Sequence, residues 1–292
     1  MSRSAPTHSR QDDGRMTVSG MTEEERYLFD LQGFLVIEDA LGAGELEELN
    51  GLLDDYDIWN QSRGDDLSFD FWQNDEHQMS AGPLHMWDKP FRQLIAHQRI
   101  VPYLAEVLGP AFRYDHGHAM VMSKGGRPFG LHGGGTPWDP AIAYEVSRGR
   151  IHCGLVVVHY ALCDVGPADG GFCALPGSHK SNFACPDSFE PITDPGPWVQ
   201  PVPLRAGSAV LFTEALTHGT LPWTAEHERR ALFYRYMPGH MAFVGRYRED
   251  GREHPGGAYP RPFHTDTDDW TPLERRMLEP PYAWERPDTI TE

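Results

Sequence analysis

The stretch GSAVLFTEALTHGTLPW, residues 207–223, indicates the fold class of this chain. The run SAVLFT is apolar and branched, as in a buried strand, and His218 lies just past its end. The segment RRALFYRYM then begins at Arg229, eleven residues after His218, and predicts another strand. Short strands that follow one another at this spacing are typical of a β-sandwich or a small barrel.

Strand-like runs continue toward the N-terminus as far as Phe112. They are separated by Gly, Pro and Asp clusters and read FRYDHGHAMVMS, RIHCGLVVVHYALCD and GGFCALPGS. A further apolar run, GFLVIE, lies near the start of the chain. We therefore expect a mainly β domain with most of its helices in the first third of the chain.

Four segments have the pattern of a helix. Thr22 and Glu25 form a capping box that predicts a helix start, and GAGELEELNGLLDDY carries an apolar stripe. The segment PFRQLIAHQRIVPYLAEVLG predicts an amphipathic helix that Pro102 breaks in two. TPLERRMLEPP predicts a last helix that covers one end of the barrel.

Length and composition indicate one domain. The chain has 292 residues, of which 39% are hydrophobic, so a sizeable core can be buried. Residues 1–20 are polar and aperiodic, and we expect a disordered lead there, followed by a single domain over residues 21–292 with a C-terminal covering segment. The sequence has no signal-peptide core and no run of ~20 apolar residues, so we expect a cytoplasmic protein.

The charge of the chain limits its partners. The net charge is −18, which disfavours nucleic-acid polymers and anionic membranes. A small-molecule substrate, including an anionic one, is compatible with this charge because a few arginines in a pocket override the mean field. The four cysteines form no CxxC pair, which disfavours a zinc site and a disulfide framework, and we expect buried free thiols.

Two of the fifteen histidines have informative surroundings: His132 in LHGGGTPWDP, residues 131–140, and His218. A non-haem Fe(II) site needs two imidazoles and one carboxylate on one face, with the other positions open for a keto acid and dioxygen. The second carboxylate of the keto acid needs a cation, and Arg229 offers a bidentate, permanently charged one. His116 and His118 alternate on a predicted strand and share a face, but no third ligand accompanies them.

These motifs together resemble the phytanoyl-CoA dioxygenase family of Fe(II)/2-oxoglutarate oxygenases. The resemblance runs over residues 27–237 and rests on FDLQGFLVIEDAL, FRQLIAHQRIVPYLAEVLGP, LHGGG, DGGFCALPGSHKSN, LTHGT and RRALFYRY. It implies a double-stranded β-helix, which is a jelly roll of the cupin type, with flanking N-terminal helices. It also implies that His132 and His218 bind Fe(II) and that Arg229, helped by the hydroxyl of Thr220, binds the distal carboxylate of 2-oxoglutarate.

One position departs from the family pattern. The family carries His-x-Asp, and the residue two positions after His132 is Gly134. Fe(II), two neutral imidazoles and dianionic 2-oxoglutarate sum to zero, so a chloride beside Gly134 would restore the single negative charge that the aspartate normally adds. The chain thus resembles the Fe(II)/2-oxoglutarate halogenases, which carry His-x-Gly or His-x-Ala. The resemblance implies O2-dependent chlorination of an unactivated C–H bond in a free small molecule, such as a nucleotide or another natural-product precursor, with decarboxylation of 2-oxoglutarate to succinate.

The alternative is a hydroxylase with an atypical or substitute third ligand. Glu214, four residues before His218, would need an unusual geometry to bind the metal, and Asp139, seven residues after His132, would need a different loop. A non-enzymatic binding module and a purely structural glycine turn explain less, because both histidines and Arg229 are present together. Four further residues are expected in the pocket or around the ligands: His116, Trp138, His152 and Glu214.

Overall fold

The computed structural model describes residues 20–61, 70–189, 192, 196–243, 269–281 and 289. The α-helices in these ranges are α1 to α5: Glu23–Gln32, Ala43–Tyr56, Lys89–Gln93, Val101–Leu108 and Pro272–Met277. The strands are β1 to β13: Phe34–Ile37, Asp70–Asp75, Gln78–Gly82, Phe112–Met122, Phe129–His132, Tyr144–Ser147, Arg150–Cys153, Val156–Ala161, Gly171–Ala174, Gln200–Pro201, Ala209–Thr213, His218–Leu221 and Arg229–Pro238.

The strands form two main antiparallel sheets. The larger sheet has seven strands in the order β1-β11-β8-β13-β4-β3-β2, and the smaller has four in the order β10-β9-β12-β5. Strands β6 and β7 make a separate hairpin. Buried side chains from both sheets share one core, in which Phe172 of β9 lies 4.8 Å from Phe212 of β11 between ring centroids. The expected jelly roll is confirmed.

The helices cover the outer face of the larger sheet. Phe29 of α1, Leu49 of α2 and Phe91 of α3 pack in a second core with outward residues of the sheet such as Val158 and Tyr234. Each of these side chains is at most 1% exposed. At about 25 cal/mol per Å² of buried apolar surface, this interface stabilises the larger sheet.

Most of the helix predictions are confirmed. The Thr22–Glu25 capping box opens α1, and α5 begins inside the predicted C-terminal segment. Pro102 does not break a helix, because it lies in the first turn of α4, where its missing N–H has no intrahelical acceptor in any case. The chain instead leaves helical geometry between Ala96 and Val101.

Some predictions fall outside the described residues or need correction. The predicted disordered lead lies outside them, except for Gly20. The four cysteines form no disulfide, and Cys153 and Cys173 are buried as expected, but Cys163 is half-buried and Cys185 is exposed. Within the described ranges, no helix has the length and apolar character needed to cross a bilayer.

Candidate active site

Two histidines face each other across paired strands of the smaller sheet. His132 ends β5 and His218 begins β12, and these residues are direct partners in the antiparallel register. Directly opposite residues of an antiparallel pair point to the same face. The two imidazole centroids are 4.1 Å apart. The sheet register therefore brings together two residues that lie far apart in the sequence.

Backbone contacts fix the orientation of both imidazoles. His132 Nδ1 lies 3.0 Å from the carbonyl oxygen of Gly130, and His218 Nδ1 lies 2.7 Å from that of Leu216. A carbonyl oxygen only accepts, so each Nδ1 donates and each Nε2 keeps its lone pair. Burial also lowers the pKa of His218 to about 4, which favours the neutral imidazole that a metal requires.

Glu214 completes a cluster of three ligating groups. Its Oε1 lies 3.9 Å from Nε2 of His132 and 3.9 Å from Nε2 of His218. Its Oε2 is buried and has no hydrogen-bond partner among the described residues. Burial alone would raise the pKa of Glu214, but attraction from nearby basic side chains, among them the charged guanidinium of Arg235, holds that pKa below its ordinary value. The side chain is therefore an ionised carboxylate directed at the two histidines.

An ordinary turn brings Glu214 close to the two histidines. Its spacing from His218 in the sequence had suggested that an unusual geometry would be needed. Glu214 directly follows β11, and the turn is closed by a 2.9 Å bond from the Leu216 N–H to the Thr213 carbonyl. That turn returns the chain to His218 at the start of β12. The three donor atoms lie within 4.8 Å of one another, and the set of two nitrogens and one oxygen suits divalent iron.

The glycines after His132 are required by backbone packing. A Cβ on Gly133 would lie 2.5 Å from the carbonyl oxygen of Glu214 and 2.6 Å from that of Leu216. Gly134 has φ +109°, a conformation that residues with a side chain rarely adopt, and its Cβ would lie 3.2 Å from Thr217 Oγ1. The loop therefore passes against the turn that carries Glu214. The backbone conformation explains the glycine at position 134 without a halide.

Arg229 has unused hydrogen-bonding capacity in the interior. Its side chain is 1% exposed, and its Nε and Nη2 have no partner in the described structure. Its Nη1 contacts the thioethers of Met120 and Met122, each at 3.3 Å. Burial lowers the pKa of Arg229 to about 10, so it stays charged at neutral pH. Such a buried cation requires an anionic partner, and the dianion 2-oxoglutarate fits that requirement.

Thr220 and His159 share the interior with Arg229. Thr220 is 7% exposed and lies two residues after His218 on β12, so both side chains point to one face. His159 is 1% exposed, and neither of its ring nitrogens has a partner in the described structure. Sequence reasoning missed His159, although a histidine inside the apolar run VVVHYA is a detectable signal.

The other predicted residues are not members of the three-residue cluster. His116 is on the inward face of β4 and contacts Asp115 Oδ2 at 2.8 Å. His152 is exposed on the β6–β7 hairpin, and Trp138 is 64% exposed. Asp139 accepts the N–H of Ala141 within its own turn at 2.8 Å. None of the four belongs to the candidate metal cluster found among the described residues.

A cavity of about 460 Å³ is lined by Gly134 and Thr217, which are neighbours of the two histidines in the sequence. Its walls also include Phe183 and Trp198, whose side chains are 83% and 67% exposed. A volume of this size is typical of small-molecule sites. His132, Glu214 and His218 are not among the residues that line it.

Several solved structures share this fold. HygX from Streptomyces hygroscopicus, with nickel, 2-oxoglutarate and hygromycin B bound, is 25% identical at a TM-score of 0.67, with 81% of this chain and 96% of that chain covered. HygX with iron bound gives a TM-score of 0.66. The non-haem α-ketoglutarate-dependent carbocyclase SnoK from nogalamycin biosynthesis is 20% identical at a TM-score of 0.57, covering 76% of this chain and 86% of that chain, which shows the fold alone. No curated protein sequence gives a significant match.

A family profile gives the assignment. The profile of phytanoyl-CoA dioxygenase (PhyH) matches residues 29–231, which is more than half of the chain and spans β1 to the start of β13. The matched region contains both histidines, Glu214 and Arg229. The chain belongs to the phytanoyl-CoA dioxygenase family.

Proposed function

We propose that the protein is an Fe(II)/2-oxoglutarate-dependent oxygenase that hydroxylates a C–H bond of a small molecule. His132, Glu214 and His218 would hold the iron. The observation that carries this proposal is the carboxylate of Glu214, 3.9 Å from Nε2 of each histidine. Two imidazoles and one carboxylate form the ligand set of non-haem Fe(II) oxygenases.

Charge favours the same proposal. Fe(II), two neutral imidazoles, ionised Glu214 and dianionic 2-oxoglutarate sum to −1, which is the charge of a site with the usual aspartate. Bound iron and 2-oxoglutarate supply oxygen activation, so that substrate C–H, O2 and 2-oxoglutarate become alcohol, succinate and CO2. A chloride is not required to reach this charge.

The residues of the chain bind and orient these groups. The carbonyl contacts at Nδ1 hold both histidines with Nε2 toward Glu214. Arg229, with two free N–H-bearing nitrogens in a buried setting, would bind the distal carboxylate, with Thr220 as the second donor and His159 beside it. Burial of this set excludes water, which strengthens the electrostatic contacts.

Similarity to HygX supports both the cofactors and the substrate class. That protein, 25% identical to this chain, has structures with iron and with nickel, 2-oxoglutarate and hygromycin B bound. We extend Fe(II), 2-oxoglutarate and a free small-molecule substrate to this chain. The negative net charge of the chain, −18, agrees with a substrate that is not a nucleic-acid polymer.

Chlorination is the second candidate, and one observation favours it. Gly134 has no side chain, and only Thr217 Oγ1 lies within 4 Å of its ideal Cβ position, so there is local space for a halide. Hydroxylation is nevertheless preferred. The φ of +109° already explains the glycine, and Glu214 already provides the anion.

The proposal is tested by measuring conversion of 2-oxoglutarate to succinate with and without Fe(II). We expect iron-dependent turnover in the wild type. Loss of a group that only hydrogen-bonds to a metal ligand typically lowers metal affinity ~10 to 100-fold, so loss of a direct ligand in Glu214→Gln should lower Fe(II) affinity at least as much. Glu226→Gln is the matched control, because the side chain of Glu226 is 86% exposed. Iron affinity and turnover unchanged by Glu214→Gln would refute Glu214 as a ligand.

A further inference from the structure

The inward face of the larger sheet carries a second arginine, Arg235, which the proposed chemistry does not use. Arg235 lies on β13 six residues after Arg229, so the two side chains point to the same face about 20 Å apart along the strand. In the register, Arg235 lies opposite His116 of β4 and Val157 of β8. Arg235 therefore lies in a row of inward-facing residues well separated from Arg229.

This row lies close to the candidate iron ligands. The N–H of Glu214 donates to the carbonyl of Leu155 at 2.9 Å, and Leu155 is two residues before Val157 on the same stretch of chain. A group bound at Arg235 would therefore lie beside the metal cluster, on the substrate side.

The guanidinium of Arg235 has no matching carboxylate. Its Nη1 contacts His118 Nδ1 at 3.1 Å, and no carboxylate of the described residues lies within the 4 Å that defines an ion pair. The neighbouring Asp115 is matched by Arg113 Nη1 at 2.9 Å and also accepts from His116 and from the N–H of Phe243. Glu214 and Asp115 attract Arg235 electrostatically, but neither forms an ion pair with it in the described structure.

The neighbours of Arg235 form a shaped surface. Its Cζ lies 5.9 Å from the ring centroid of Phe233, and Phe233 stacks on His118 at 5.2 Å and on His159 at 4.6 Å. Burial lowers the pKa of His118 well below its ordinary value, so that imidazole is neutral. Arg235, His118 and His116 are all partly exposed.

Summing the charges at the site gives the sign of that ligand. Iron, Glu214, 2-oxoglutarate and Arg229 sum to zero when the cofactors are bound, and Asp115 with Arg113 also sums to zero. Arg235 then leaves one positive charge on the substrate side. A partly buried cation without an ion pair is unfavourable, and an oxyanion that forms a bidentate pair with a guanidinium removes that penalty.

Resting on the proposed function, we infer that Arg235, flanked by His116 and His118, binds an oxyanion of the substrate, either a carboxylate or a phosphate monoester. The substrate class is therefore an anionic small molecule that is held by its charged end beside the iron ligands. His116 and His118 offer further polar contacts to the same group.

Calorimetric titration of the anaerobic protein with Fe(II) and saturating 2-oxoglutarate tests the inference. The probes are benzoate, its neutral isostere benzamide, and inorganic phosphate. We expect the wild type to bind at least one of the two anions roughly 10 to 100-fold more tightly than benzamide. The preference between benzoate and phosphate distinguishes a carboxylate from a phosphate as the natural anchor.

Variants assign any anion preference to Arg235. Arg235→Gln should abolish it, and Arg235→Lys, which keeps the charge but loses the planar fork, should retain part of it. Arg205→Gln is the control, since the Arg205 side chain is 64% exposed and pairs with Glu38. Equal binding of the anions and benzamide, no detectable binding of either anion, or an unchanged preference in a folded Arg235→Gln protein would overturn the inference.

The same titration separates this inference from the proposed function. Binding of 2-oxoglutarate is measured first in the same cell. If 2-oxoglutarate fails to bind, the proposed function is wrong, whereas the anion preference at Arg235 is still measured directly. If 2-oxoglutarate binds and no anion preference exists, only the inference about Arg235 fails.

Discussion

Under the proposed function, Glu214 would supply the carboxylate that the His-x-Asp motif normally supplies. Glu214 lies in the turn that follows β11, and the loop after His132 uses glycines to pass against that turn. The sequence around the two histidines offered Glu214 and Asp139 as substitute ligands but did not decide between them. The sequence predicted both histidines and Arg229 because each lies at the end of a recognisable strand. The position of Glu214 depends on how that turn folds back, which side-chain periodicity does not encode.

At the residue scale, Gly134→Ala should destabilise the protein. The backbone at residue 134 has φ +109°, and an added Cβ would lie 3.2 Å from Thr217 Oγ1. Holding a residue with a side chain in such a conformation costs about 1–3 kcal/mol. Urea denaturation measures this loss in the free energy of unfolding.

Gly51→Ala is the matched control for this prediction. Gly51 lies within α2, and a Cβ there meets nothing within 4 Å. Because alanine is favoured over glycine inside a helix, the control should stabilise the protein by about 0.5–1 kcal/mol. If Gly134→Ala is as stable as the wild type, the backbone explanation of Gly134 is wrong.

At the element scale, β13 presents different chemistry on its two faces. Arg229, Phe233 and Arg235 point inward, and Arg230 points outward to Asp54 and Glu228. Strand alternation in RRALFYRYM predicts this division from the sequence alone. The same rule identifies Arg235 as an inward-facing residue.

Because Arg229 points inward from β13, we expect Arg229→Gln to weaken 2-oxoglutarate binding by roughly 10 to 100-fold. The substitution removes a buried, charge-assisted bidentate contact. Arg229→Lys should also bind weakly, since an ammonium cannot reproduce the planar fork. Arg230→Gln, one residue away on the opposite face, should bind 2-oxoglutarate normally. Equilibrium titration of 2-oxoglutarate gives the three dissociation constants, and equal values for both glutamine variants would exclude Arg229 as the anchor.

At the scale of the whole molecule, the interior contains histidines that are neutral in the folded state. His85 is 2% exposed, neither of its ring nitrogens has a hydrogen-bond partner in the described structure, and burial lowers its pKa to about 3. An unfolded histidine has a pKa of about 6.5. Between these two values the unfolded chain binds more protons, so stability is lost as the pH falls below about 6.5.

This linkage predicts that the metal-free protein loses stability on acidification and that His85→Leu loses less. The His85 contribution should be about 1.4 kcal/mol per pH unit well below pH 6.5. Urea denaturation of both proteins from neutral to mildly acidic pH, with a chelator present, gives the two slopes. Parallel pH profiles for the wild type and the variant would show that His85 does not remain neutral in the folded state.

The proposed function requires that Glu214, and not a halide, completes the iron site. This requirement is tested by anaerobic titration of the wild type with Fe(II) and 2-oxoglutarate, monitored through the visible metal-to-ligand charge-transfer band. If Glu214 is the third ligand, the wild-type band should not change when chloride is added, and only Glu214→Ala should give a chloride-sensitive band. A wild-type band that shifts with chloride would contradict Glu214 as the third ligand. The absence of any band would contradict an Fe(II)/2-oxoglutarate site.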